Sequence, residues 1–254
     1  MKRIESKKDL KWGFPFYKKE EIDNSNYRYL IKYDHEVGPG MDFHECLVKI
    51  AEANKDYASS NNTYICYGSW IGKGIVWRFY DLDTKDDSKD ILTDEEVLEK
   101  KFGEEGKKIN KDFRDTLITE DKKLIKYIPQ LSNSITTEEY SPYPYIYYFE
   151  IELTKDYKVI ENELQKLKEA ASNNNINFIV YAEENNTNLH LFIPIKNFIE
   201  LDSIGSVKEI LNSYYNKEES ANIRSEIYKI MKKNQSTLMT LVTNCDNTEF
   251  DIIE

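Results

Sequence analysis

The stretch Tyr143–Leu153, YPYIYYFEIEL, opens the run to Lys196 from which the fold is read. Tyr145, Tyr147, Phe149, Ile151 and Leu153 alternate with Tyr148, Glu150 and Glu152, the period-two pattern of a half-buried strand. From Asp156 to Ser172 the apolar positions Ile160, Leu164, Leu167 and Ala171 lay one stripe along an amphipathic helix, which Asn173, Asn174 and Asn175 end. Two β-prone runs follow, Asn177–Ala182 and Leu189–Ile195, joined by the hairpin-like segment EENNTN. The unit reads β-α-β-β.

The chain carries this pattern twice. A shift of 114 positions sets Tyr29, Tyr33, Glu36 and Tyr67 on Tyr143, Tyr147, Glu150 and Tyr181, and the helix stripe Phe43, Cys46, Ile50, Ala53 on Tyr157, Ile160, Leu164, Leu167. Such self-similarity predicts an internal duplication. Downstream, Val207–Tyr215 and Ala221–Lys232 read as helices and Ser236–Asn244 as a strand. The expected fold class is α+β: two tandem ferredoxin-like (β-α-β-β-α-β) units with antiparallel sheets, packed side by side, with the tyrosine-bearing face shared or exposed. The expected domains are an aromatic arm over 1–26 around Trp12, Phe14, Phe16 and Tyr17, a first unit over 27–131, a linker over 132–142, a second unit over 143–246 and an acidic tail over 247–254. Within the first unit, Thr93 or Asp94 is expected to cap a helix running to about Ile109, with Phe113–Ile118 returning to strand.

Composition narrows the function classes. With 46 acidic against 35 basic residues the formal charge is −11, which repels phosphate backbones, argues against nucleic acid and suits a protein partner with a basic surface. Cys46, Cys66 and Cys245 form no C-x-x-C pair and sit in apolar surroundings, as reduced core cysteines do. The N-terminus is charged and no apolar run approaches a membrane span, so a cytoplasmic protein without membrane attachment is expected.

The sharpest chemical constellation is Glu150 and Glu152 on one strand face with His190 on a later strand, since two carboxylates two residues apart point the same way and suit a divalent metal. FEIEL followed by LHLFIP is similar to the palm of archaeo-eukaryotic primases, which implies metal-dependent nucleotidyl or phosphoryl transfer by Glu150, Glu152 and His190. Here the acids are Glu rather than Asp, and no third carboxylate stands out. Other candidates are incomplete. Gly72-Lys73-Gly74 leads into a strand rather than a helix, which excludes a phosphate loop. The acidic segment Asp81–Asp94 lacks the central Gly and closing Glu of a calcium loop. His35 and His44 are separated by a turn and a helix start, which speaks against a metal pair.

A second resemblance covers about residues 10–131. WGFPFY, Gly40, TYICYGSWIGKGIVWRFYDL and EDKKLIKYIPQL resemble the acidic ferredoxin-like proteins of the ribonuclease E regulator B family. The resemblance implies a non-catalytic module that restrains an enzyme by covering a surface. Together with the acidic charge and the aromatic strands, it makes a cofactor-free inhibitor or antagonist of another macromolecule the expected function: an immunity protein, a nuclease regulator or a phage anti-defence protein. Tyr148, Phe192, Trp70 and Trp77 are its expected binding surface.

Overall fold

The computed structural model describes residues 29–38, 42–56, 64–69, 74–82, 84–133 and 144–242. The expected aromatic arm and acidic tail, most of the expected linker, Trp70, Gly72-Lys73 and Cys245 lie outside these residues. The first half of the described chain runs β1 (Tyr29–Val37), α1 (Asp42–Lys55), β2 (Tyr64–Ser69), β3 (Ile75–Leu82), α2 (Asp94–Phe102), α3 (Glu104–Thr116) and β4 (Leu117–Tyr127). The second half runs β5 (Tyr145–Leu153), α4 (Glu161–Asn173), β6 (Ile179–Glu183), β7 (Asn188–Ile195), α5 (Phe198–Ser203), α6 (Val207–Tyr214), α7 (Lys217–Ile230) and β8 (Met231–Leu241).

The strands follow one hydrogen-bonded cycle, β1-β3-β2-β8-β5-β7-β6-β4, a closed eight-stranded barrel. This overturns the expected pair of open ferredoxin-like sheets. The physical reason is burial on both faces. In the first half, Ile31, Tyr64, Cys66, Tyr80 and Leu82 pack with α1–α3, while Leu30, Ile65, Tyr67, Trp77 and Phe79 on the opposite face are buried as well. An open two-layer sheet leaves that second face in water, whereas a barrel encloses it. By contact density the described residues fall into two compact units, 29–124 with 240–242 and 125–239, so that β4 and β8 each belong to both. Among the described residues no helix is long and apolar enough to cross a membrane.

The helices end where local chemistry ends them. Thr93 Oγ1 accepts from the Glu96 amide at 3.2 Å and Glu96 Oε2 accepts from the Thr93 amide at 2.7 Å, a reciprocal cap that starts α2. Gly103, at φ +61°, then breaks the expected single helix in two, and α3 holds the chain helical to Thr116 where a strand from Phe113 was expected. At Gly106 a Cβ would meet the Leu98 carbonyl oxygen at 2.1 Å, so the close approach of α2 and α3 depends on that glycine.

Under these helices the first unit buries a charge. Arg78 donates to both Asp94 carboxylate oxygens, at 2.8 and 2.7 Å, and its guanidinium lies 5.4 to 5.7 Å from the rings of Tyr33, Tyr64 and Phe113. Its Nε donates to His35 Nε2 at 3.1 Å, and His35 Nδ1 faces Glu120 Oε2 at 3.3 Å. Asp94 is the first residue of α2, so this pair pins that helix to β3. Removing one partner of such a pair leaves a buried charge uncompensated. Arg78→Met should therefore cost about 3–5 kcal/mol in chemical denaturation, and Arg78→Met with Asp94→Leu should recover most of it.

The same cluster sets an acid lability. Burial, then the Arg78 charge, hold the His35 imidazole below its ordinary range despite Glu120. The folded state keeps it neutral while the unfolded chain protonates near its ordinary pKa of about 6.5, so stability falls as the pH drops below that point. Burial works to raise the Asp94 carboxyl, but the Arg78 charge and hydrogen bonds outweigh it and hold it low. Its contribution is lost below the ordinary carboxylate range near about 3.9. Denaturation midpoints measured from pH 7 to 5 should slope downward in the wild type and flatten in His35→Gln.

Candidate functional site

In the second unit the face of β5, β6 and β7 that turns away from the helices carries Ile146, Tyr148, Glu150, Ile179, Tyr181, Glu183, His190 and Phe192. The opposite face, with Leu153, Val180, Ala182, Leu189, Ile193 and Ile195, packs on α4, α6 and α7. Strand pairing builds the site. Glu150 lies directly across from His190 on β5 and β7, Tyr148 across from Phe192, and Tyr181 of β6 across from His190 on its other side. Glu183, two residues beyond Tyr181, shares that face by alternation.

The side chains form a hydrogen-bonded chain. Tyr148 Oη and His190 Nδ1 are 2.7 Å apart, His190 Nε2 and Glu183 Oε1 are 3.3 Å apart, and the Tyr148 hydroxyl also reaches Glu150 Oε2 at 3.3 Å. Asn188 Nδ2 donates to Glu183 Oε2 at 2.9 Å and anchors that carboxylate. The Tyr148 and His190 rings stack at an interplanar angle of 12°, and Phe192 packs 4.9 Å from Tyr148. His190 is 0% exposed and Glu183 20%, so the imidazole is enclosed and the carboxylate reaches solvent. One hydroxyl has one proton. When Glu183 accepts from Nε2–H, Nδ1 accepts from Tyr148; when Nδ1 carries the proton, the Tyr148 hydroxyl donates to Glu150 instead.

The structure brings together Glu150 and His190 of the expected constellation. Glu152 instead forms an ion pair with Lys232 at 2.5 Å, and Glu183 supplies the further carboxylate. Ligand atoms of Glu150, Glu183 and His190 all lie within 4.8 Å of one another. The signal for Glu183 was present in the hairpin: once Tyr181 stands opposite His190, Glu183 must share its face. Tyr148, Phe192 and Trp77, the expected binding surface, are 4%, 0% and 5% exposed and present no ring to a partner. Of the acidic segment Asp81–Asp94, Asp81 belongs to β3 and Asp83 lies outside the described residues.

No family model and no curated protein matches the sequence. Solved structures match the fold. A provisionally assigned monooxygenase from Fusobacterium nucleatum subsp. nucleatum ATCC 25586 aligns at 8% identity over 85% of this chain and 93% of that one, with a TM-score of 0.54. The provisionally assigned chlorite dismutase TA0507 aligns at 12% identity over 87% and 97%, with a TM-score of 0.52. A provisionally assigned monooxygenase from Lactobacillus acidophilus NCFM aligns at 8% identity over 84% and 93%, with a TM-score of 0.51. This chain is similar to α+β barrels of that type, which corrects the resemblance to the ribonuclease E regulator B family. The inhibitor reading, with its immunity and anti-defence variants, falls with it: the aromatic face that was to meet a partner is enclosed, and the neighbours are described as enzymes. The primase-palm reading falls too, because a closed barrel is not that palm and Glu152 stands outside the cluster.

Phe192 offers a direct check on the core assignment. Phe192→Ala should cost about 3–5 kcal/mol in chemical denaturation, as truncation of an enclosed aromatic ring does. A surface ring would cost a few tenths.

Proposed function

We propose that the chain is a cytoplasmic enzyme that moves protons on a small organic substrate at Glu150, Tyr148, His190 and Glu183. The observation that carries this reading is the 2.7 Å contact between Tyr148 Oη and His190 Nδ1, with Glu183 on the other ring nitrogen. A carboxylate that orients an imidazole, which in turn accepts from a hydroxyl, is the arrangement that general acid–base catalysis uses. Glu150, half-exposed beside the Tyr148 hydroxyl, is the member placed to meet substrate. It takes a proton from an acidic O–H or C–H group. Tyr148 passes its own proton to His190 as it receives that one, and Glu183 steadies the imidazolium.

The neighbours' descriptions as monooxygenases support an oxidation as the overall reaction. Removing a proton from a phenol or hydroquinone makes the electron-rich anion that an oxidant attacks. Haem does not fit the two buried histidines of the described residues. His190 is 0% exposed with its nitrogens facing Tyr148 and Glu183, and His35 Nε2 accepts from Arg78, so neither buried imidazole offers a nitrogen to a group as large as an iron porphyrin. Cys46 and Cys66 are buried thiols outside any disulfide, in keeping with a reducing compartment.

Oxygen-electrode measurements across a panel of phenols and hydroquinones test the reading. Turnover should fall by about 10²- to 10⁴-fold in Glu150→Gln and Tyr148→Phe and stay within about twofold in Glu152→Gln. Equal turnover in all four proteins, or none with any member of the panel, rejects it.

A further inference from the structure

We infer that Glu150, Glu183 and His190 also hold one divalent first-row transition-metal ion. The inference rests on the same side chains as the function proposed above but makes a separate claim about their occupant. The three donors come from β5, β6 and β7, adjacent strands of one sheet, so backbone pairing rather than a loop sets their separation.

The first unit carries a cationic side chain beside the carboxylate that matches Glu150. Its strands pair in the same register: Asp34 stands opposite Trp77 as Glu150 does opposite His190, Lys32 opposite Phe79 as Tyr148 does opposite Phe192, and Tyr67 opposite Trp77 as Tyr181 does opposite His190. Continuing β2 and β6 by two residues sets Ser69 against Glu183. In the first unit Lys32, 1% exposed, places its ammonium 2.6 Å from Asp34 Oδ2, so a built-in positive charge answers the carboxylate. At the matching places the second unit exchanges that lysine for Tyr148, the tryptophan for His190 and the serine for Glu183. The second unit thus lacks the cationic side chain and carries at the neighbouring places an imidazole and a second carboxylate, donor types that bind a metal ion.

The surrounding hydrogen bonds suit a metal ligand set. A ligating imidazole needs its other nitrogen held, and Tyr148 lies 2.7 Å from Nδ1; a ligating carboxylate needs its far oxygen held, and Asn188 donates to Glu183 Oε2. Binding replaces the proton between His190 Nε2 and Glu183 Oε1. Nδ1–H then donates to the Tyr148 oxygen and the Tyr148 hydroxyl to Glu150 Oε2, so the metal-free site is the one that passes a proton from Tyr148 to His190. One nitrogen and two carboxylates favour Mn(II), Fe(II), Co(II) or Zn(II) over Cu(I), which seeks sulfur, and leave coordination positions open to water or substrate.

Isothermal titration of the full chain with MnCl₂ and ZnCl₂ is the test, with far-UV circular dichroism and thermal midpoints confirming that each variant is folded. The wild type should bind one equivalent and release protons, read from the difference between two buffers of unlike ionisation enthalpy. Glu150→Gln and Glu183→Gln should each weaken binding at least tenfold, Tyr148→Phe should weaken it about 10- to 100-fold, and Glu152→Gln should leave it unchanged. If a Gln variant unfolds, Glu150→Asp or Glu183→Asp takes its place and should still weaken binding. No saturable binding at millimolar metal overturns the inference, as does binding that these carboxylate variants leave unaltered. The two proposals fail separately. Absence of metal binding with turnover still lost in Glu150→Gln removes the metal and keeps the proton path; binding lost in the variants with turnover intact does the reverse.

Discussion

The rest of this structure depends on sheets that bury both faces. Residues such as Tyr67, Trp77 and Phe79 on one side, and Tyr64, Tyr80 and Leu82 on the other, leave β3 and its neighbours no side for water. Helices cover one face of each sheet. Only closure through shared strands covers the other, and β4 and β8 supply it by running from one unit into the next. Enclosure then sets the terms for every polar group on that inner face. A histidine with no exposed surface must find hydrogen-bond partners or cost folding free energy, and His190 finds Tyr148 and Glu183.

The two halves solve the same packing problem with different charges. Their inner faces share one pairing register, yet one carries an ammonium–carboxylate pair at Lys32 and Asp34 and the other a tyrosine–imidazole–carboxylate chain. An ammonium held against a carboxylate is electrostatically quiet. A chain in which one proton has several acceptors within reach can change state, and that property separates a reactive constellation from a stabilising one. The other buried histidine, His35, lies on the helix-facing side of its sheet between Arg78 and Glu120 and serves the packing of α2 and α3. Two enclosed imidazoles thus differ in role because they lie on opposite faces of their sheets.

What the sequence determined by itself was local. Alternation in YIYYFEIEL, the stripe Ile160, Leu164, Leu167 and Ala171, and the hairpin around EENNTN follow from the repeat lengths of strand and helix, which neighbouring residues alone decide. The 114-residue shift also places Leu117–Tyr127 on Met231–Leu241, two strands of equal length, although on β1 it sets Glu36, rather than Asp34, against Glu150. Tertiary structure decided the rest. Alternation gives a strand two faces but does not say whether the second meets water or another strand, so the same tyrosines read as an exposed surface when they are the inside of a barrel. It likewise places Glu150 and Glu152 on one face without saying which finds a lysine and which a histidine. Lys232 is distant in sequence from Glu152, and Glu183 reaches His190 through a pairing register that backbone hydrogen bonds set, so neither partner could be named before the strands had met.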